Sequence, residues 1–135
     1  MRYLKTYKIF ESIEPDLKEV EQDVSDMLLD IQDEGLTVKV IDLHGFNHRN
    51  ISFEIESDKG SWPHLFDITN NIKDTLERIS YYISEKEYGI NISFSGPEYI
   101  ELLYENDRWI DLDDHKDIEL IGRQASLIMI KIYKM

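Results

Sequence analysis

Arg49-Asn-Ile-Ser-Phe-Glu-Ile-Glu-Ser57 alternates apolar and polar side chains without a break from residue 51 to residue 56. Ile51, Phe53 and Ile55 fall on one side of an extended chain and Ser52, Glu54 and Glu56 on the other, the pattern of a strand with one wet face. The stretch before it, LTVKVIDL (36–43), also reads as a strand, and the short HGFNH connection between them predicts a hairpin. Outward from the hairpin the period changes. Leu17, Val20, Val24, Met27, Leu28 and Ile31 recur at spacings of one, three and four, which predicts a helix over 15–33. Pro15 suits its first position, Asp16 and Glu19 sit in the first turn where the helix dipole favours acids, and Gly35 supplies a left-handed stop. On the other side Leu65, Ile68, Ile72, Leu76, Ile79 and Ile83 predict a second helix over 63–87, stopped at Gly89.

Residues 90–95 alternate again, and Gly96-Pro97 turns the chain. Residues 98–104 and 108–112 read as strands around Glu105-Asn106-Asp107, and Asp111 to Asp117 as an acidic loop. The stretch SLIMIKIYK (126–134) has apolar side chains on both faces, which places it inside a sheet rather than at its edge. The sum is an α+β domain over 13–135: two helices on one face of an antiparallel or mixed sheet of five to six strands. The order helix–strand–strand occurs twice. An αββ–αββ pseudo-repeat and convergent capping chemistry explain that order equally well.

With 135 residues, 41% hydrophobic, the chain is long enough and apolar enough to bury a core, despite 32% charged residues. It has no cysteine, so disulfides and thiolate metal sites are excluded. No apolar run approaches the roughly 20 residues of a membrane helix, so no membrane association is expected. The net charge is −13, which opposes binding to nucleic acid and anionic lipid. Residues 97–119 hold nine acids against two bases. Glu98, Glu101, Glu105, Asp107, Asp111, Asp113, Asp114 and Asp117 are therefore the candidate protein-binding residues, with a basic protein surface as partner. Charge of this density also keeps a protein soluble, and that reading stays open.

No catalytic signature is present: no Gly-rich phosphate loop, no G-x-S-x-G elbow and no H-E-x-x-H. A non-enzymatic chain without a cofactor is the expectation. His44 and His48 flank the hairpin loop without a third ligand nearby in sequence, and the run from Asp111 to Asp117 lacks the glycine of a calcium loop, so no metal site is expected. Glu54 and Glu56 face the same side of a strand, which strand alternation explains without catalysis. Trp62, Tyr81, Tyr82, Tyr88, Tyr99, Tyr104 and Trp109 stand at element ends or alternating positions, where packing is the usual role.

Residues 1–12 differ from the rest. Arg2, Lys5 and Lys8 stand against one acid, Glu11, in an otherwise acidic chain. The segment KTYKIFES (5–12) resembles the N-terminal capsid-targeting leaders of internal proteins in T-even-like phages. Such leaders direct a protein into the prohead and are cut after a glutamate, in a pattern of Leu or Ile, any residue, Glu, then a small residue. Ile9-Phe10-Glu11-Ser12 matches that pattern, so the resemblance implies Ile9, Glu11 and Ser12 as processing residues. It covers under a tenth of the chain and departs from the leaders by an extra Arg-Tyr-Leu before Lys5 and a shorter spacing from Thr6 to Glu11. The body, with IQDEGLTVKV and DTLERISYYI, also resembles small phage proteins that begin Lys-Tyr-Leu-Lys and continue to a Phe-Glu. A local reading competes: Tyr3, Leu4, Tyr7 and Phe10 fit a short amphipathic helix against the domain.

The resemblance implies a phage accessory protein of the host cytoplasm or the virion interior. It would bind a host or phage protein and, once packaged and injected, inhibit a host defence or host enzyme. The alternative is a structural or assembly component of the virion, held by its leader and its sheet edge.

Overall fold

The computed structural model describes residues 15–42 and 50–134. The leader and the HGFNH connection, with His44 and His48, lie outside the described residues. The elements run α1 (Pro15–Gln32), β1 (Leu36–Asp42), β2 (Asn50–Ser57), β3 (Phe66–Asp67), α2 (Asn70–Glu85), β4 (Tyr88–Ser95), β5 (Ile100–Glu105), β6 (Arg108–Asp111), β7 (Lys116–Asp117), β8 (Gln124–Ala125) and β9 (Leu127–Lys134). Seven strands form one sheet in the order β1-β2-β9-β4-β5-β6-β7, every pair antiparallel, and β3 and β8 form a two-stranded patch. The fold is α+β. The main sheet is larger than the expected five to six strands because the acidic loop folds back as β7.

β9 lies inside the sheet, between β2 and β4, as its two-sided apolar character predicts. Phe53 pairs with Ile130 and Ile130 with Ile92, so one row crosses three strands. Ile128, Ile130 and Ile132 are fully buried on the helix face, beside Ile51, Phe53 and Ile55 of β2. Leu17, Val20, Val24, Leu28 and Ile31 of α1 and Ile72, Leu76, Ile79 and Ile83 of α2 complete this core. Met27 is only partly buried, packed against the core's edge. Ser52, on the face of β2 away from the helices, is 4% exposed, with Lys131 and Ile41 as its cross-strand neighbours. The element order repeats, but β1 is an edge strand while β4 sits beside β9.

The helices run antiparallel and are tied by acids of α1. Glu34, just past its end, accepts hydrogen bonds from Thr69 and Asn71. Asp30 holds Arg78 at 2.8 Å, Asp23 accepts from the Tyr82 hydroxyl, and Glu19 meets Lys86 at 3.2 Å. Burial and the Asp23 carboxylate push the Tyr82 hydroxyl well above its ordinary pKa.

Two sequence expectations need correction. α2 begins at Asn70, not near residue 63. Thr69 caps it, accepting from the Ile72 amide at 3.2 Å, while Phe66-Asp67 pairs with Gln124-Ala125. Ile68 is buried from the connecting segment, and Leu65 is only partly buried, so both extend the stripe's spacing without being helical. Gly89 is not the helix stop. Glu87 takes the left-handed conformation (φ 63°), and Gly89 lies inside β4. A Cβ at Gly89 would meet the Tyr133 ring at 2.2 Å, so the glycine admits the ring of its cross-strand partner.

Gly89→Ala should therefore destabilise the fold by about 1 kcal/mol, since an overpacked contact costs ~1–3 kcal/mol and a ring can partly swing aside. The cost should vanish when Tyr133→Ala is the background, a coupling that urea denaturation of the four proteins measures.

Candidate functional site

Seven of the eight acidic candidates lie on the β5–β6–β7 meander at the far end of the sheet, in separate places, and Glu98 lies in the connection from β4 to β5. Asn106 and Asp107 form a two-residue turn with φ of 53° and 62°, the positive values of a type I′ hairpin, and Glu105 pairs with Arg108 across it. Three residues along, roughly 10 Å at strand rise, Leu102 pairs with Asp111 at the hairpin's other end. There the Asp111 carboxylate accepts from the Asp113 amide at 2.8 Å, and its carbonyl accepts from the His115 amide. Asp113 and Asp114 stand exposed on this second turn. Glu101 is on the face of the sheet away from the helices, partly buried, and accepts from Asn91 at 3.4 Å. Glu98 meets Arg123 at 3.5 Å, and Asp117 on β7 meets Arg108 at 3.2 Å. Asp111 and Glu101 thus have structural partners, while Glu105, Asp107, Asp113 and Asp114 are exposed at the two turns.

The processing residues Ile9, Glu11 and Ser12 lie outside the described residues. His64 and His115 stand in separate turns, and among the described residues no group of three or more His, Asp or Glu could hold a metal ion. Among the same residues no helix is long and apolar enough to cross a membrane.

The fold brings Asp107 to a groove of about 400 Å³ that sequence reading did not assemble. Its walls are Asp74, Glu77, Arg78 and Tyr81 from α2, and Tyr104 and Asp107 from the β5–β6 hairpin. Beneath it Trp109 is 4% exposed, its ring centroid 4.9 Å from that of Tyr104. The Trp109 indole N–H donates to Glu77 at 2.9 Å, and Lys73 pairs with the same carboxylate at 2.8 Å. Burial first, then the negative charge of Glu77 and Asp107, raises the Tyr104 hydroxyl above its ordinary pKa, so it stays protonated. The hydrogen bond to Glu77 likewise raises the Lys73 ammonium and keeps it charged. The aromatic residues divide accordingly. Trp109 packs inward and Tyr82 bonds α1, while Trp62, Tyr81 and Tyr99 are more than half exposed.

The i, i+3, i+4, i+7 spacing of Asp74, Glu77, Arg78 and Tyr81 was visible in the sequence as one helix face. That a hairpin with Tyr104 and Asp107 would stand against that face was not. Comparison with protein families, with curated proteins and with solved structures finds no match to this chain.

Glu77→Ala should cost about 1–3 kcal/mol, the penalty for leaving a buried donor such as the Trp109 N–H without an acceptor. Glu77→Gln, which keeps an acceptor oxygen, should lose less. Urea midpoints together with the Trp109 fluorescence maximum check both.

Proposed function

We infer that this chain is a phage accessory protein that acts by binding a basic surface on another protein, of the host or of the phage. The observation that carries the binding reading is the acidic end of the sheet. Exposed carboxylates stand on both turns of the β5–β6–β7 meander, away from α1, where Glu19, Asp23 and Asp30, with Glu34 just past its end, are engaged with α2 and its caps. Charge of one sign on projecting turns raises the encounter rate with a cation-rich surface and repels nucleic acid. The leader's resemblance to capsid-targeting sequences supports the phage setting, with delivery from the virion interior to the host cytoplasm, where the target would be a defence protein or a host enzyme. A structural role in the virion would need pairing along an open sheet edge. β1 is such an edge among the described residues, but it carries exposed Lys39 at its middle, a charge that discourages strand addition.

Two measurements test this reading. Replacing Asp113, Asp114 and Asp117 by Asn should slow association with the captured partner several-fold with little change in melting temperature, and association of the unmodified protein should fall steeply with salt. A salt-independent rate would overturn the electrostatic docking. The leader is tested separately. Protein recovered from particles should begin at Ser12 and recombinant protein at Met1, and Glu11→Ala should block the cut, as mass spectrometry of the terminal peptides would show. An intact Met1 terminus in mature particles would overturn the packaging reading.

A further inference from the structure

We propose that the groove between α2 and the β5–β6 hairpin receives an arginine side chain of the basic partner, its guanidinium stacked on Tyr81 and bonded to Asp74 and Asp107. This rests on the reading of the acidic end as a docking surface and specifies its anchor.

Three observations converge on a planar cation. First, two of the six residues lining this shallow, open groove are tyrosines. Tyr81 is 67% exposed on a helix whose other aromatic, Tyr82, is engaged with Asp23 and Lys86. An exposed tyrosine on a helix offers a stacking face with only two side-chain torsions to order, and guanidinium is the cation that stacks. Second, three carboxylates line the groove against one cation. Arg78 is held by Asp30 of α1 at 2.8 Å and by the Thr75 hydroxyl at 3.3 Å, so its charge is largely answered outside the groove. Glu77 is occupied by Lys73 and the Trp109 indole, which leaves Asp74 and the lone pairs of Asp107 that the Tyr104 hydroxyl does not engage to meet an incoming group. Third, the walls are preorganised. The Asn106-Asp107 turn fixes the Asp107 backbone in a left-handed conformation, and Tyr104 is stacked on buried Trp109. A site whose walls are already ordered loses little entropy on binding.

The test measures binding of hexa-arginine and hexa-lysine peptides to the full chain at low salt, by fluorescence anisotropy, with the contact surface located by amide NMR shifts. Tyr81→Ala should weaken hexa-arginine roughly two- to fivefold, the size of a cation–π contact at an exposed ring, and Tyr81→Phe should keep most of the affinity. Asp107→Asn and Asp113→Asn change the net charge equally, so a purely long-range attraction would treat them alike. The groove requires Asp107→Asn to cost several-fold more, and hexa-arginine to bind more tightly than hexa-lysine. Equal effects of the two Asn variants with no effect of Tyr81→Ala would overturn the groove and leave the acidic docking surface standing. No binding of either peptide by the unmodified protein would overturn both. The variants sit on exposed positions, and an unchanged amide spectrum confirms that each is folded.

Discussion

Everything in this fold depends on β9 closing the gap between β2 and β4. Before that strand arrives, α1-β1-β2 and α2-β4-β5 are two open layers, each with an unpaired inner edge. β9 pairs with both along nearly its whole length and brings three fully buried isoleucines onto the helix face. Each such side chain contributes about 1.5–3 kcal/mol relative to exposure. These pairings span long sequence separations, so loop-closure entropy must be overcome before they form, and neither half should hold together without the other.

Much of this was legible because the rows are simple. Leu17, Val20, Val24, Leu28 and Ile31 repeat at helical spacing, and Ile51, Phe53 and Ile55 at strand spacing, and all are buried as those periods require. What misled were residues whose local pattern agreed with one element while tertiary contacts placed them in another. Ile68 keeps helical phase with Ile72 but precedes the cap at Thr69, because its segment pairs with β8. Gly89 follows an apolar helix, where a glycine usually terminates it. Here its missing side chain makes room for Tyr133, a partner 44 residues away that no local pattern can reveal. The candidate site was half legible for the same reason. The acids of 97–119 are dense in sequence, but only hairpin geometry separates the bonded Asp111 from the projecting Asp107, and only packing sets Asp107 beside Asp74.

The acidity has two uses that composition cannot distinguish. Along α1, Glu19, Asp23, Asp30 and Glu34 answer Lys86, Tyr82, Arg78 and the Thr69-Asn71 cap. These are solvent-exposed or partly exposed contacts, each contributing at most about 1 kcal/mol, but together they fix the order in which two apolar helices lie against each other. On the β5–β6–β7 meander the bases are few, Arg108 and Lys116, and Arg108 already answers Asp117, while beside the meander Arg123 answers Glu98. The remaining carboxylates repel one another, a cost the fold limits by spreading them over two turns about a strand-length apart.

That division separates stability from recognition. The strands holding the core, β2, β9 and β4, are second to fourth of the seven, and β5 to β7 extend beyond them as a meander bearing few of the fully buried side chains. Charge changes on the meander's turns therefore leave the core rows intact. The exception is Trp109, which reaches from β6 under α2 and joins the meander to the helix through Glu77. Because one carboxylate receives both the buried indole and Lys73, the groove's floor is set by the same contact that docks the hairpin. Its two walls, helix and hairpin, cannot separate without exposing an aromatic ring and breaking a charge-assisted hydrogen bond, so the spacing between Tyr81 and Asp107 is a consequence of folding rather than of ligand binding.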